Sequence, residues 1–146
     1  MKQSLNCITK NIIKYLILFL IGGFLYFNIE ILWRGFSHWS MFILGAICFC
    51  YSGIQNRGTA MNVPLWKQVL KVDIFVIISE FITGCIVNLW LGWNVWDYSN
   101  LPFNILGQSC PQFAILFLPL CLVGIVLDDW ICYIFFHETK PHYNWI

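Results

Sequence analysis

The sequence predicts an all-α, polytopic membrane protein with four transmembrane helices, and three observations carry that reading. Of the 146 residues, 60% are apolar and only 10% charged, against about 25% charged in soluble domains. The few charges are clustered, so the chain holds uncharged stretches near the roughly 20 residues that a helix needs to cross a bilayer. The length accommodates about four such stretches with their turns, and the short first connection forces an antiparallel hairpin. Eight Lys and Arg against seven Asp and Glu leave no basic footprint for nucleic acid.

The first span is expected over 15–33, which contains no charge before Glu30. Arg34 suits the negative end of that helix, and Gly35 can take the left-handed conformation that closes it. Lys2, Lys10 and Lys14 precede the stretch, but no small-x-small site follows it, so it does not read as a cleaved signal peptide. After residues 35–38 the second span covers 39–54, whose 16 residues reach only about 24 Å. The third covers 69–93 and is interrupted by Glu80 and Asn88.

Next comes the polar, turn-rich run Trp96-Asp97-Tyr98-Ser99-Asn100-Leu101-Pro102-Phe103-Asn104. The fourth span is expected over 105–127, again without charge. Pro111 fits a first helical turn, with 105–110 as a short re-entrant piece, and Pro119 predicts a kink. The tail 128–146 mixes Trp130, Tyr133, Phe135 and Phe136 with charges and reads as interfacial. The whole chain reads as a single transmembrane domain of two hairpins. Glu30 and Glu80, 50 residues apart on the first helix of each hairpin, are a faint echo of an internal repeat.

Orientation follows from the basic residues of the short loops. With the N- and C-termini in the cytoplasm, Lys2, Lys10, Lys14, Arg57, Lys67, Lys71 and Lys140 lie inside and only Arg34 outside, the bias expected of an inner-membrane protein. Trp33, Trp39, Trp93 and Trp96 then gather at one interface and Trp66 and Trp130 at the other.

Glu80 sits about 13.5 Å along its helix from Lys71, near mid-depth, where a charge costs about 2.5 to 3.5 kcal/mol. Gly84 and Asn88 share its face at i+4 and i+8. One reading is a proton or cation site, and the other a polar contact that fixes helix packing. Nearer the outer surface, Glu30 and Arg34 have the spacing of an intrahelical ion pair. With His38 and Asp97 they are expected to form either an outer vestibule for a charged head group or an interfacial salt-bridge cluster.

Glu30 and Arg34 also match the E-x-x-x-R of intramembrane CAAX-type proteases, but those add histidine ligands, and His137 and His142 fall in the tail. No zinc site, catalytic triad or nucleotide loop can be written, so neither an enzyme nor a cofactor is expected. The seven cysteines lie mostly in apolar runs and show no CxxC, as suits small core residues.

Glu80-Phe81-Ile82-Thr83-Gly84, Trp96-Asp97-Tyr98-Ser99, Pro102-Phe103-Asn104 and Gly107-Gln108 together resemble the hallmark of a bacterial family of ABC-transporter permeases, type IV or CmpB-like. Many members carry Gly-Pro and Pro-x-Tyr-Gly segments after the first helix, where this chain has Ile29-Glu30-Ile31-Leu32-Trp33-Arg34-Gly35, so it resembles a short subfamily. The resemblance implies a transport component for an unidentified solute. It adds Trp96, Tyr98 and Asn104 to Glu30, Arg34, His38, Glu80, Asn88 and Asp97 as substrate-binding candidates. Four helices are few to enclose a pathway, so a second copy, a membrane partner or an ATPase partner is expected. The competing reading is an accessory or scaffold protein that binds a partner or lipid and moves nothing.

Overall fold

The computed structural model describes residues 2–58 and 62–145, with side chains from residue 8 onward, and these form a helical bundle. The helices are α1 (Lys2–Arg34), α2 (Trp39–Gly53), α3 (Leu65–Gly84) and α4 (Pro111–Phe136). A π-helical segment, Cys85–Trp90, continues α3. Three of the apolar helices, Ile8–Arg34, Leu65–Trp90 and Pro111–Phe136, are long enough to cross a membrane, and α2 is shorter.

Local chemistry sets the helix ends. Gly35 adopts φ +80° and donates its N–H to the Ile31 carbonyl at 2.8 Å, closing α1. His38 caps α2, its Nδ1 accepting from the Ser40 N–H at 3.3 Å. Pro111 opens α4 at a position where no N–H is needed. The helix runs on past Pro119 and stops at His137, which takes φ 54°.

Glycines let α1 and α2 approach closely. A Cβ on Gly22 would strike Phe49, one on Gly23 would strike Phe42, and one on Gly45 would strike Tyr26. Gly22 meets Phe49 and, one turn on, Tyr26 meets Gly45 one turn back, so the two run in opposite senses. The short α2 is the hub, because it packs on α1, α3 and α4 alike. Leu65, Val72, Phe117, Cys121 and Ile125 form the α3–α4 core. Leu18, Phe49 and Cys132 join α1, α2 and α4 at the end of the bundle that carries Lys14.

The first and third helices start earlier than the expected spans, at Lys2 and Leu65, and the fourth segment differs at both ends. Residues 105–110 are no re-entrant helix: Ile105 and Ser109 form an antiparallel bridge around Leu106 and Gly107, both at positive φ. Such a tight reversal cannot propagate as a helix. The fourth helix also does not end at residue 127, and Asp128 and Asp129 lie within it, buried. Their charge is met by partners from other elements, so it does not mark a helix end. The tail proper starts after Phe136 and folds back, where the Leu65 N–H donates to the Asn144 carbonyl at 2.6 Å.

Candidate functional site

The face of α3 bearing Glu80, Gly84 and Asn88 is buried, and the loop 91–110 is built onto it. Asn88 Oδ1 accepts the Val95 N–H at 2.7 Å, and its Nδ2 donates to Gln108 Oε1 at 2.7 Å. Trp96, itself buried, donates its indole N–H to the Gln108 carbonyl at 3.0 Å. A Cβ on Gly84 would stand 2.7 Å from Gln108 Oε1 and 3.0 Å from the Trp96 ring. Only glycine therefore lets the loop sit this close to the helix.

The loop's outer turn is held from within. Exposed Asp97 accepts the Ser99 backbone N–H at 2.8 Å, and the Ser99 hydroxyl and then its N–H hold the Asp97 carboxyl below the usual range. Asn104 Nδ2 donates to the Leu101 carbonyl at 2.8 Å, and its Oδ1 accepts the Gly107 N–H at 2.9 Å. Phe103 and Leu106 adopt φ 59° and 52°, a region that costs non-glycine residues energy. The hydrogen-bonded turn around them keeps them there.

At the Arg34 end, Arg34 Nη2 pairs with Glu30 Oε2 at 2.9 Å, and Nη1 donates to the Val95 carbonyl at 2.8 Å. The Ser37 hydroxyl donates to the same Glu30 oxygen at 2.6 Å. Arg34 thus ties α1 to the loop through its backbone, while Asp97 turns to Ser99 instead of joining it. His38 packs against both Trp39 and Trp93, ring centroids 5.4 and 5.2 Å away.

Four of the nine candidates face open space. Glu80 is 1% exposed and lines a cavity of about 120 Å³ between α1, α2, α3 and α4. Its Oε1 accepts from the Tyr98 hydroxyl at 3.0 Å, and Oε2 has no hydrogen-bond partner. Burial first, and then the Glu80 carboxyl, push the Tyr98 phenol up, so it stays a donor. Tyr98 stacks on Phe113, centroids 4.4 Å apart. Tyr98, Glu30 and Arg34 line a second cavity of about 350 Å³ between α1 and α4. The two cavities share Tyr26, Ile29, Phe117 and Leu120 as walls. His38, Asn88, Trp96, Asp97 and Asn104 line neither.

At the opposite end lies a polar cluster that the sequence reading missed. Arg57 pairs with the fully buried Asp128 and stands 3.7 Å from Glu138, which Lys14 also pairs. Asn56 Nδ2 donates to Asp129 at 2.8 Å, and Gln68 Nε2 donates to Asn56 Oδ1 at 3.1 Å. The signal was available: two acids within an apolar stretch ask for buried partners just as Glu80 does. Among the described residues no group of three His, Cys, Asp or Glu is placed to hold a metal ion.

The loop shows what most of the hallmark residues do: Gly84, Trp96, Asp97, Ser99, Asn104, Gly107 and Gln108 are the parts from which this cap on α3 is assembled. No curated protein and no solved structure matches the chain. Residues 17–146, which include the whole of that cap, match the family described as Putative ABC-transporter type IV, and the chain belongs to it.

Proposed function

We propose that the protein is a permease-like component of a transport system in a bacterial cell membrane, with all four helices crossing the bilayer as two hairpins. The Lys14 end faces the cytoplasm in this reading, since the basic residues gather there and Arg34 stands alone at the other end. A second copy or an ATPase partner completes the pathway in this reading, because four helices are few to enclose one. The observation that carries the reading is the unpartnered Glu80 oxygen in the wall of an interhelical cavity. An ionisable group kept at such depth is costly, and such groups mark pathways for ions and solutes.

The test is complementation of a deletion strain. Glu80→Gln retains a carbonyl to accept from Tyr98 but cannot ionise, so the expected variant is folded, with thermal stability near wild type, and fails to restore uptake or efflux. A folded Gln variant that complements fully across the pH range refutes the transport role of Glu80. That outcome favours the second reading, an accessory or scaffold protein. The use of Asn88, Trp96 and Asn104 in holding a loop supports that alternative.

A further inference from the structure

The transport reading leaves the solute open, and the cavity itself narrows it. We propose that the two adjoining cavities bind a hydrophobic organic cation, its quaternary or protonated nitrogen against Glu80 in the inner cavity and its apolar part along the second cavity toward Arg34. As a statement about transport this rests on the preceding reading; as a statement about binding it stands on the cavity alone.

Among the described residues Glu80 is the only carboxyl in the wall of the inner cavity, and no basic side chain joins it there. Among the described residues it takes part in none of the ion pairs, which all lie at Lys14, Arg34 and Arg57. One oxygen is occupied by Tyr98, and the other, Oε2, is buried without a partner. Tyr26, Phe49 and Phe117 contribute aromatic side chains to the same wall. An acid ringed by aromatic and aliphatic groups is the complement of a cation that carries its own apolar surface.

Size and charge select further. About 120 Å³ is comparable to an apolar cavity of about 150 Å³ that holds benzene, room for a trimethylammonium group or a single ring. Beyond the shared walls, the second cavity of about 350 Å³ takes the remainder of an elongated molecule. An anionic head group is disfavoured in the inner cavity, whose described lining holds a carboxyl and no basic side chain; at the far edge Arg34 engages Glu30 and the Val95 carbonyl through Nη2 and Nη1, and its Nε is left without a partner. Within the inner cavity the buried polar atom without a partner is the Glu80 acceptor, Oε2.

The experiment is calorimetric titration of the whole protein in lipid nanodiscs with benzyltrimethylammonium, empty nanodiscs subtracted. Its neutral isostere neopentylbenzene serves as competitor. Saturable one-to-one binding is expected, weakened at least tenfold in Glu80→Gln. Preloaded neopentylbenzene should need at least tenfold higher concentration than preloaded benzyltrimethylammonium to suppress the binding heat. Val76→Phe, one turn before Glu80 on the cavity wall, should fill the space and abolish binding while leaving Glu80 in place. If Glu80→Gln does not fold, Val76→Phe and the competitor decide.

No saturable binding, unchanged affinity in folded Glu80→Gln, full affinity in Val76→Phe, or displacement by neopentylbenzene at equal concentration would each overturn the proposal. Failure here is distinguishable from failure of the transport reading. A Glu80→Gln strain that loses transport while the wild type ignores the cation points to another solute. Cation binding with full complementation by Glu80→Gln keeps the site and removes its transport role.

Discussion

Removing Arg57 strands a carboxylate that has no water to turn to. Asp128 has a fully buried side chain and Arg57 is 19% exposed, so Arg57→Ala breaks the pair from its more accessible side. Breaking a buried pair costs about 3 to 5 kcal/mol, and the exposure of Arg57 together with the nearby Cys132 thiol, 3.7 Å from Asp128 Oδ2, places the expected loss at the lower end. Asp128→Leu leaves Arg57 its contacts to Glu138 and to the Tyr15 hydroxyl at 3.3 Å, so it should cost about half as much. The double variant should then be more stable than the sum of the two losses, by about 1 to 2 kcal/mol. Reversible unfolding of all four proteins in mixed micelles measures the cycle. Gly53→Ala checks it independently, since its Cβ would fall on the same carboxylate and should cost about 1 to 3 kcal/mol. An Arg57→Ala loss below about 1 kcal/mol, or strict additivity, refutes the argument that this pair fastens the segment after α2 to α4.

Three further outcomes follow from the other end of the bundle. Gly84→Ala forces a methyl onto Gln108 and Trp96 and should destabilise by about 1 to 3 kcal/mol, read as a lowered Tm. In double-mutant cycles Arg34 should couple to Glu30 by about 1 kcal/mol and to Asp97 by about zero; coupling to Asp97 would restore the vestibule expected from the sequence. The folded carboxyl of Asp97 titrates below its unfolded value. The stabilisation it gives the loop is therefore complete above about pH 3.9 and is lost as pH falls through the folded value. Pepsin nicking of residues 97–107, normalised to an unstructured peptide, should accelerate over that acid range in wild type, and Asp97→Ala should be nicked early at every pH.

Helices were legible because their signals are local. Arg34-Gly35 closes α1, Pro111 opens α4, and uncharged runs of apolar residues need no tertiary information. The burial of Glu80, Gly84 and Asn88 was legible too, from their four-residue spacing. What escaped is set by partners remote in sequence. Asp128 and Asp129 looked like the end of a span because the groups that neutralise them, Arg57 and Asn56, lie more than 70 positions away. Asp97 looked like a partner for Arg34 on charge alone, whereas a neighbouring hydroxyl and N–H two residues on were cheaper to reach. Gln108 stood in the family hallmark without a role, and its role as the hub of the α3 cap is visible only once the loop has turned back.

The glycine-lined contact of α1 with α2 also has a bearing on the order of assembly. The two helices are joined by residues 35–38, so the entropy of bringing them together is small, and their packing involves only the first third of the chain. The pair between Lys14 and Glu138 closes 124 residues, and that between Arg57 and Asp128 closes 71. Without α4, a paired α1 and α2 leave two cations at one end, Lys14 and Arg57, without their carboxylates. The arrival of Asp128 and Glu138 removes the charge, seats α4 against the hub helix and lets the tail reach back to Leu65. The ion-pair cluster at the Lys14 end is thus the latch of the bundle, and closing it needs residues as far along the chain as Glu138.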